Sequence, residues 1–222
     1  MTGPLRTEPR RIVVGVTGAS GAIYSVRLLQ AIAQTEVEVH LAVSPSGAAV
    51  IKQELELTLD PLAVNLPQLL GYTPPWPISP GVRQMIAAAS ANVGNFRAHR
   101  YNDFLTPIAS GSFLTDAMVI CPCSGTTLSS ISRAAAANLI QRAAEVHLKE
   151  RRKLVLVPRE TPLSTIQLEN MHHLSLAGAV ILPAMPGWYH GVDGIDSLVN
   201  FVVGRILDQV GVGNDIIHRW GQ

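Results

Sequence analysis

Gly18, Ala19 and Ser20 form part of a Gly-Ala-Ser-Gly turn between an apolar run and a helical pattern. Amides that open a helix have no intrahelical partner, so such a turn can face an anion, with the Ser20 hydroxyl in its middle. Cys121-Pro-Cys-Ser-Gly-Thr-Thr127 repeats the design after a later apolar run, with Ser124, Gly125, Thr126 and Thr127 supplying three hydroxyls and a glycine. Ser44 closes the second apolar run, where a dinucleotide enzyme usually places Asp or Glu to hold a ribose diol. The glycines at 15, 18 and 21 therefore point to the phosphate or ribityl chain of a mononucleotide rather than to NAD. A plain tight turn is the simpler reading of those glycines, and an N-cap is the simpler reading of Ser124 and Thr127.

Charged and aromatic candidates follow the same logic. Arg142 and Lys149 are seven residues apart on a helical pattern, so both cations can face one point and clamp a phosphate. Glu150, Arg151, Arg152 and Lys153 read as a solvated face. Arg159-Glu160 follows an apolar strand and Pro158, a place where a cation beside a carboxylate suits a ligand, although a surface ion pair also fits. Tyr189, in a loop, offers an aromatic wall and a hydroxyl. Arg205 borders an apolar stripe, either as a snorkelling stem or as a phosphate partner of Tyr189. Cys121 and Cys123 read as packing residues on one face of a strand rather than nucleophiles, His172 and His173 as solvated or locally bonded, and Trp220 as an anchor for the tail.

The elements that must hold these groups alternate. Strands are expected over 12–17, 37–43, 117–121, 154–157 and 179–182, and helices after Ser20 and over 48–55, 81–91, 126–139, 140–151, 165–176 and 195–210. That alternation predicts an α/β fold, a three-layer doubly wound, Rossmann-like parallel sheet. In such a sheet the ligand lies beyond the carboxyl ends of the strands, where all the loops above emerge. Residues 66–103 break the rhythm with a proline-stiffened stretch. Residues 1–10 read as a flexible N-terminal segment, and 11–222 as a single domain.

A fraction of charged residues as low as 15%, against 47% hydrophobic, leaves too little polar surface for an isolated subunit and predicts a large subunit interface. A net charge of +1 supplies no field for nucleic acid. No metal-ligand spacing occurs among the histidines and the two cysteines, so no metal is expected. The run over 174–191 is cut by glycine and proline and cannot span a membrane, and the first ten residues lack a secretory h-region, so a cytoplasmic location is expected.

From Arg11 to Trp220 the chain resembles the flavin prenyltransferases of the UbiX type. The resemblance rests on Thr17-Gly-Ala-Ser-Gly-Ala-Ile-Tyr24, Ala109-Ser-Gly-Ser112, Cys121-Pro-Cys-Ser124, the run from Arg142 to Arg152, Leu156-Val-Pro-Arg-Glu-Thr-Pro162, Leu168-Glu-Asn-Met171 and Tyr189-His190. It implies FMN held by Gly18, Ala19, Ser20, Ser44, Ser124 to Thr127 and Arg159. It also implies an allyl phosphate held by Arg142, Lys149, Glu160, Tyr189 and Arg205. Phe104 stands where some relatives carry Trp as a wall of the prenyl site. A family glutamate after the second helix falls on Glu54, with Glu56 as the other match. The implied reaction transfers a dimethylallyl group from dimethylallyl monophosphate to reduced FMN, making prenylated FMN for a UbiD-type decarboxylase. Glu160 would be its acid–base group, Ser20 would assist, and Glu54 and Lys149 would complete the catalytic set; a homo-dodecamer is implied as well. An FMN-dependent cysteine decarboxylase-like enzyme would need a histidine base and a later cysteine acid, and a non-catalytic FMN carrier would need no phosphate clamp.

Overall fold

The computed structural model describes residues 9–189, 191–219 and 221. β-Branched, apolar runs make the strands β1 (Arg11–Val16), β2 (Glu38–Val43), β3 (Phe96–His99), β4 (Ala117–Cys123), β5 (Lys153–Pro158) and β6 (Val180–Ile181). They form one parallel sheet in the order β3-β2-β1-β4-β5-β6. The helices are α1 (Ala22–Ile32), α2 (Pro45–Leu55), α3 (Leu66–Leu70), α4 (Pro80–Ala91), α5 (Gly125–Ser132), α6 (Leu139–Lys149), α7 (Thr165–Leu176) and α8 (Ile195–Val210). Ile12, Val14 and Val16 pack with α1 and α8 on one face; Val13, Met118 and Ile120 pack with α6 on the other. Successive side chains of β1 thus serve opposite cores, which is why its run is apolar throughout rather than alternating. The strand order reverses between β1 and β4, and the crevice beyond their carboxyl ends is where such sheets bind ligands.

Several sequence expectations are revised. The helix expected over 126–139 ends at Ser132, and Ala134 adopts a positive φ of 52°. Polar side chains of α6 and its cap hold this turn open. Asn138 Oδ1 accepts from Gln141 N (3.1 Å), Gln141 Oε1 from Ala137 N (2.7 Å) and Glu145 Oε1 from Ala136 N (2.9 Å), offering the alanine run partners outside a helix. β3 was not expected because it is a four-residue edge strand with only Phe96 fully buried. Cys121 and Cys123 do not share a face. The β4 ladder shifts register between Ile120 and Cys123, and the thiols fall in opposite cores. Both are free and buried; burial raises the Cys121 thiol strongly and pushes Cys123 up to about 12, so neither is a thiolate near neutrality.

The stretch 66–103 turns its apolar residues inward, with Leu69, Leu70, Val82, Ile86 and Phe96 buried. Its proline loop is tied to the chain's own α8, since Asp196 accepts from Ser79 N (3.2 Å) and Trp76 Nε1 (3.4 Å). The exposed large apolar side chains lie elsewhere, among them Phe104, Leu105, Leu114, Ile166, Leu168, Leu176 and Trp188. At the other end of α8, Arg10 donates to Val210 O (2.6 Å) and to Gly211 O. Residues 1–8, His190 and Trp220 lie outside the described residues. Among the described residues no helix is long and apolar enough to cross a membrane.

Three histidines are packed under the segment that links β3 to β4. His40 Nδ1 lies 2.8 Å from His99 Nε2 with the rings stacked, Phe113 meets His40 edge-on, and His147 sits between Thr115 Oγ1 (2.9 Å) and Ala143 O (2.7 Å). Burial pushes His99 and His147 down to about 4 and lowers His40 as well, although Glu38 beside His40 works in the opposite direction. The unfolded chain therefore takes up protons below its ordinary histidine value of about 6.5 that the folded chain refuses, so stability falls as pH drops through that value toward about 4. Denaturant midpoints at about pH 7.5 and about pH 5 should show the loss; equal midpoints would contradict it.

Candidate functional site

Thr17 welds the two loops at the switch point. Its hydroxyl donates to Pro122 O (2.8 Å) and accepts from Ser124 N (2.8 Å), fixing the end of β1 against the end of β4. The loops after β1 and β2 also touch: a Cβ on Gly18 would fall 2.5 Å from Ser46 Cβ, and one on Gly47 would fall 2.6 Å from Val16 O. Arg159 Nε donates to Ser20 O (3.2 Å), bringing the end of β5 to the same turn. Gly18, Ala19, Ser20, Ser44, Ser124 and Arg159 thus meet at one edge, as the sequence led us to expect.

The amides that open α1 are not open to an outside anion. Glu54, on α2, accepts from Gly21 N (2.9 Å) and Ala22 N (2.8 Å), so the chain's own carboxylate takes the place where an anion complements the helix dipole. Glu56 adopts φ 55° at the end of α2 and acts electrostatically on Tyr72 instead. The structure thereby separates the two glutamates that the sequence left together. Ser44 Oγ accepts from Gly47 N (3.0 Å) and meets Ser46 Oγ (3.0 Å), making Ser44 the N-cap of α2. Ser124 is likewise the N-cap of α5, accepting from Thr127 N (3.3 Å) and donating to Thr127 Oγ1 (3.0 Å). The amides of Gly125 and Thr126 have no partner among the described residues. A phosphate at the start of α5 therefore fits this edge better than one at α1.

Tyr24 is a site residue that sequence reasoning missed. Its ring lies against Gly21 and within the field of Arg159, and burial raises its phenol. Its sequence signals were its place in the first turn of α1 and at the end of the 17–24 motif. Glu160 is exposed and accepts from Thr161 N (3.2 Å). Glu160 and Arg159 line a cavity of ≈ 50 Å³ with Pro183 and Met185. The same Pro183 and Met185 border a larger cleft lined by Phe201 and Arg205. Tyr189 meets Phe201 edge-on, with centroids 5.8 Å apart, so Tyr189 and Arg205 share this side of the site. Arg205 Nη1 pairs with Asp208 (2.9 Å), a contact that engages one of the two terminal nitrogens of its guanidinium.

Arg142 and Lys149 face the same loop, as their spacing required. Arg142 Nε donates to Ala109 O (3.2 Å), and Lys149, paired with Glu150, lies against Gly111. That loop, however, descends to the amino edge of the sheet, where Arg152 donates to Gly111 O and to Phe113 O (2.8 Å). Lys149 precedes β5, whereas Glu160 follows it, and the six residues of β5 place them roughly 20 Å apart. One subunit does not bring these two residues together. Phe104, on the same descending loop, is 45% exposed and so free to face another subunit.

The Flavoprotein family profile matches residues 4–207. The flavin prenyltransferase UbiX of Pseudomonas aeruginosa is 46% identical over 216 residues, covering 96% of this chain and 95% of that protein. Among solved structures, AnUbiX (PadA1) in complex with FMN and dimethylallyl pyrophosphate superposes with a TM-score of 0.77 at 37% identity, covering 97% of this chain and 99% of the other. A dodecameric FMN-dependent UbiX-like decarboxylase from Escherichia coli O157:H7 gives 0.76 at 39% identity, covering 96% and 100%. With the switch-point loops, the hydroxyl-capped helices and 46% identity over nearly the full length all in accord, the chain belongs to the flavoprotein family and, within it, to the UbiX-type flavin prenyltransferases.

Proposed function

We propose that this protein transfers a dimethylallyl group from dimethylallyl monophosphate to reduced FMN and supplies the prenylated FMN to a UbiD-type decarboxylase. The observation that carries the reading is the convergence of the 18–20 turn, Ser124 and Arg159–Glu160 on one sheet edge, held by Thr17 and by the Arg159 bond to Ser20. Bound FMN, once reduced, supplies the nucleophilic ring. Residues 18–20, Ser44, Ser124 to Thr127 and Arg159 hold it, with the phosphate toward α5. As the allylic carbon–oxygen bond of the substrate breaks, its electron pair goes to the phosphate, and cations placed there lower the barrier. Arg142, Lys149 and Arg205, with the Tyr189 hydroxyl, take that charge, while Phe104 offers a face to the developing allyl cation. Glu160 moves the proton that ring closure requires, and Ser20 assists. Glu54 acts by fixing the turn that carries Ser20.

The separation of Lys149 from Glu160 within a subunit makes the allyl-phosphate site a joint product of neighbouring copies. We place this chain in a homo-dodecamer, as in the structural relative from Escherichia coli, with the exposed apolar residues at 104, 105, 114 and 188 in its interfaces. Residues 11–222 act as a single domain, and two unbridged buried thiols accord with the cytoplasm. Mass spectrometry of the flavin formed from reduced FMN and dimethylallyl monophosphate tests the activity; unchanged FMN as the sole flavin would refute it. Mixing Glu160→Gln and Lys149→Ala subunits tests the joint site. At limiting dimethylallyl monophosphate, hybrid assemblies should be more active than either variant alone, and mixtures no more active than the better parent would overturn the shared geometry.

A further inference from the structure

Gln167 has a side-chain amide that the reading above does not use. It is the third residue of α7 and closes a capping box: Ser164 Oγ accepts from Gln167 N (3.2 Å), and Gln167 Oε1 accepts from Ser164 N (2.9 Å). With its oxygen fixed in this way, the amide turns its nitrogen toward the first turn of α5. A Cβ on Gly125 would lie 3.1 Å from Gln167 Nε2 and 4.0 Å from its Cδ and Cγ. Gly125 thus leaves the amide room to lie against the backbone. Gln167 Nε2 has no hydrogen-bond partner among the described residues, and it stands beside Gly125, whose N–H, like that of Thr126, is also unpartnered among them. A capping box needs only an acceptor at this position, and Glu serves as well as Gln. The nitrogen is therefore surplus to the cap.

We infer that Gln167 is a further ligand of the FMN phosphate, donating from Nε2 beside the amides of Gly125 and Thr126. The inference rests on the flavin reading of the site. A neutral donor on α7 would tie the α5 and α7 helix starts to the same anion, so cofactor binding would lock the two elements that flank β5 at their amino ends.

Gln167→Glu decides the matter, because it keeps the acceptor for Ser164 N and replaces the donor with a negative charge. We expect the thermal midpoint of the flavin-free protein to be unchanged, the Kd for FMN to rise by about 10- to 100-fold, and the Kd for riboflavin, which lacks the phosphate, to stay at the wild-type value. Flavin fluorescence quenching measures both constants. Gln167→Met, which loses the donor without adding charge, should weaken FMN by a smaller factor and again spare riboflavin; it also serves if Gln167→Glu does not fold. Wild-type FMN affinity in the variants, or equal weakening of FMN and riboflavin, would overturn the assignment. Failure of the unaltered protein to prefer FMN over riboflavin would instead remove the phosphate site on which the assignment stands.

Discussion

Glu160→Gln is expected to slow formation of prenylated FMN by about two to four orders of magnitude, the usual cost of losing a positioned acid–base group. FMN binding should persist, because Glu160 is exposed and its side chain's one hydrogen bond among the described residues is from the Thr161 amide (3.2 Å), from which a glutamine oxygen also accepts. Lys149→Ala should differ in kind. It removes charge from the phosphate, so the loss should fall on the concentration of dimethylallyl monophosphate required, with turnover affected to the extent that the contact strengthens as the bond breaks. Anaerobic single-turnover absorbance with reduced FMN preloaded separates the two. Wild-type turnover in Glu160→Gln would remove the acid–base assignment and pass that role to Ser20.

The second large effect concerns stability. Arg27 is completely buried, donating to Asp196 Oδ1 (3.0 Å) and Asn200 Oδ1 (2.6 Å), while Asp196 also holds Trp76 and Ser79 of the proline loop. Asp196→Ala leaves the guanidinium in the core without its counter-charge and should cost about 3–5 kcal/mol. The double variant Arg27→Met/Asp196→Leu removes both charges and should recover much of that loss, because burying an ion pair has its own desolvation penalty. Chemical denaturation of the flavin-free protein measures both. An Asp196→Ala midpoint equal to wild type would show that the loop and α8 are held by apolar contacts alone.

How much of this was legible in the chain depends on the range of the interaction. Five of the six strands and the long helices follow from apolar periodicity, and the α8 stripe of Val199, Val202, Val203, Ile206 and Leu207 is buried as its spacing demands. β3 escaped because an edge strand half open to solvent carries little apolar signal. The alanine run before α6 escaped because side chains from the next helix, rather than its own propensity, decide its backbone.

The site divides in the same way. By itself the sequence determined which residues stand at strand-to-helix junctions, Gly18 to Ser20, Ser44, Ser124 to Thr127 and Arg159-Glu160, because a junction is encoded by its own neighbours. The tertiary structure alone decided which junctions and side chains meet. It turned Glu54 rather than Glu56 to the start of α1, sent Cys121 and Cys123 to opposite cores, set Gln167 against Gly125, and put Lys149 at the far edge of the sheet from Glu160. Each of these depends on strand order and register, which arise from pairings between residues distant in sequence and leave no local pattern to read.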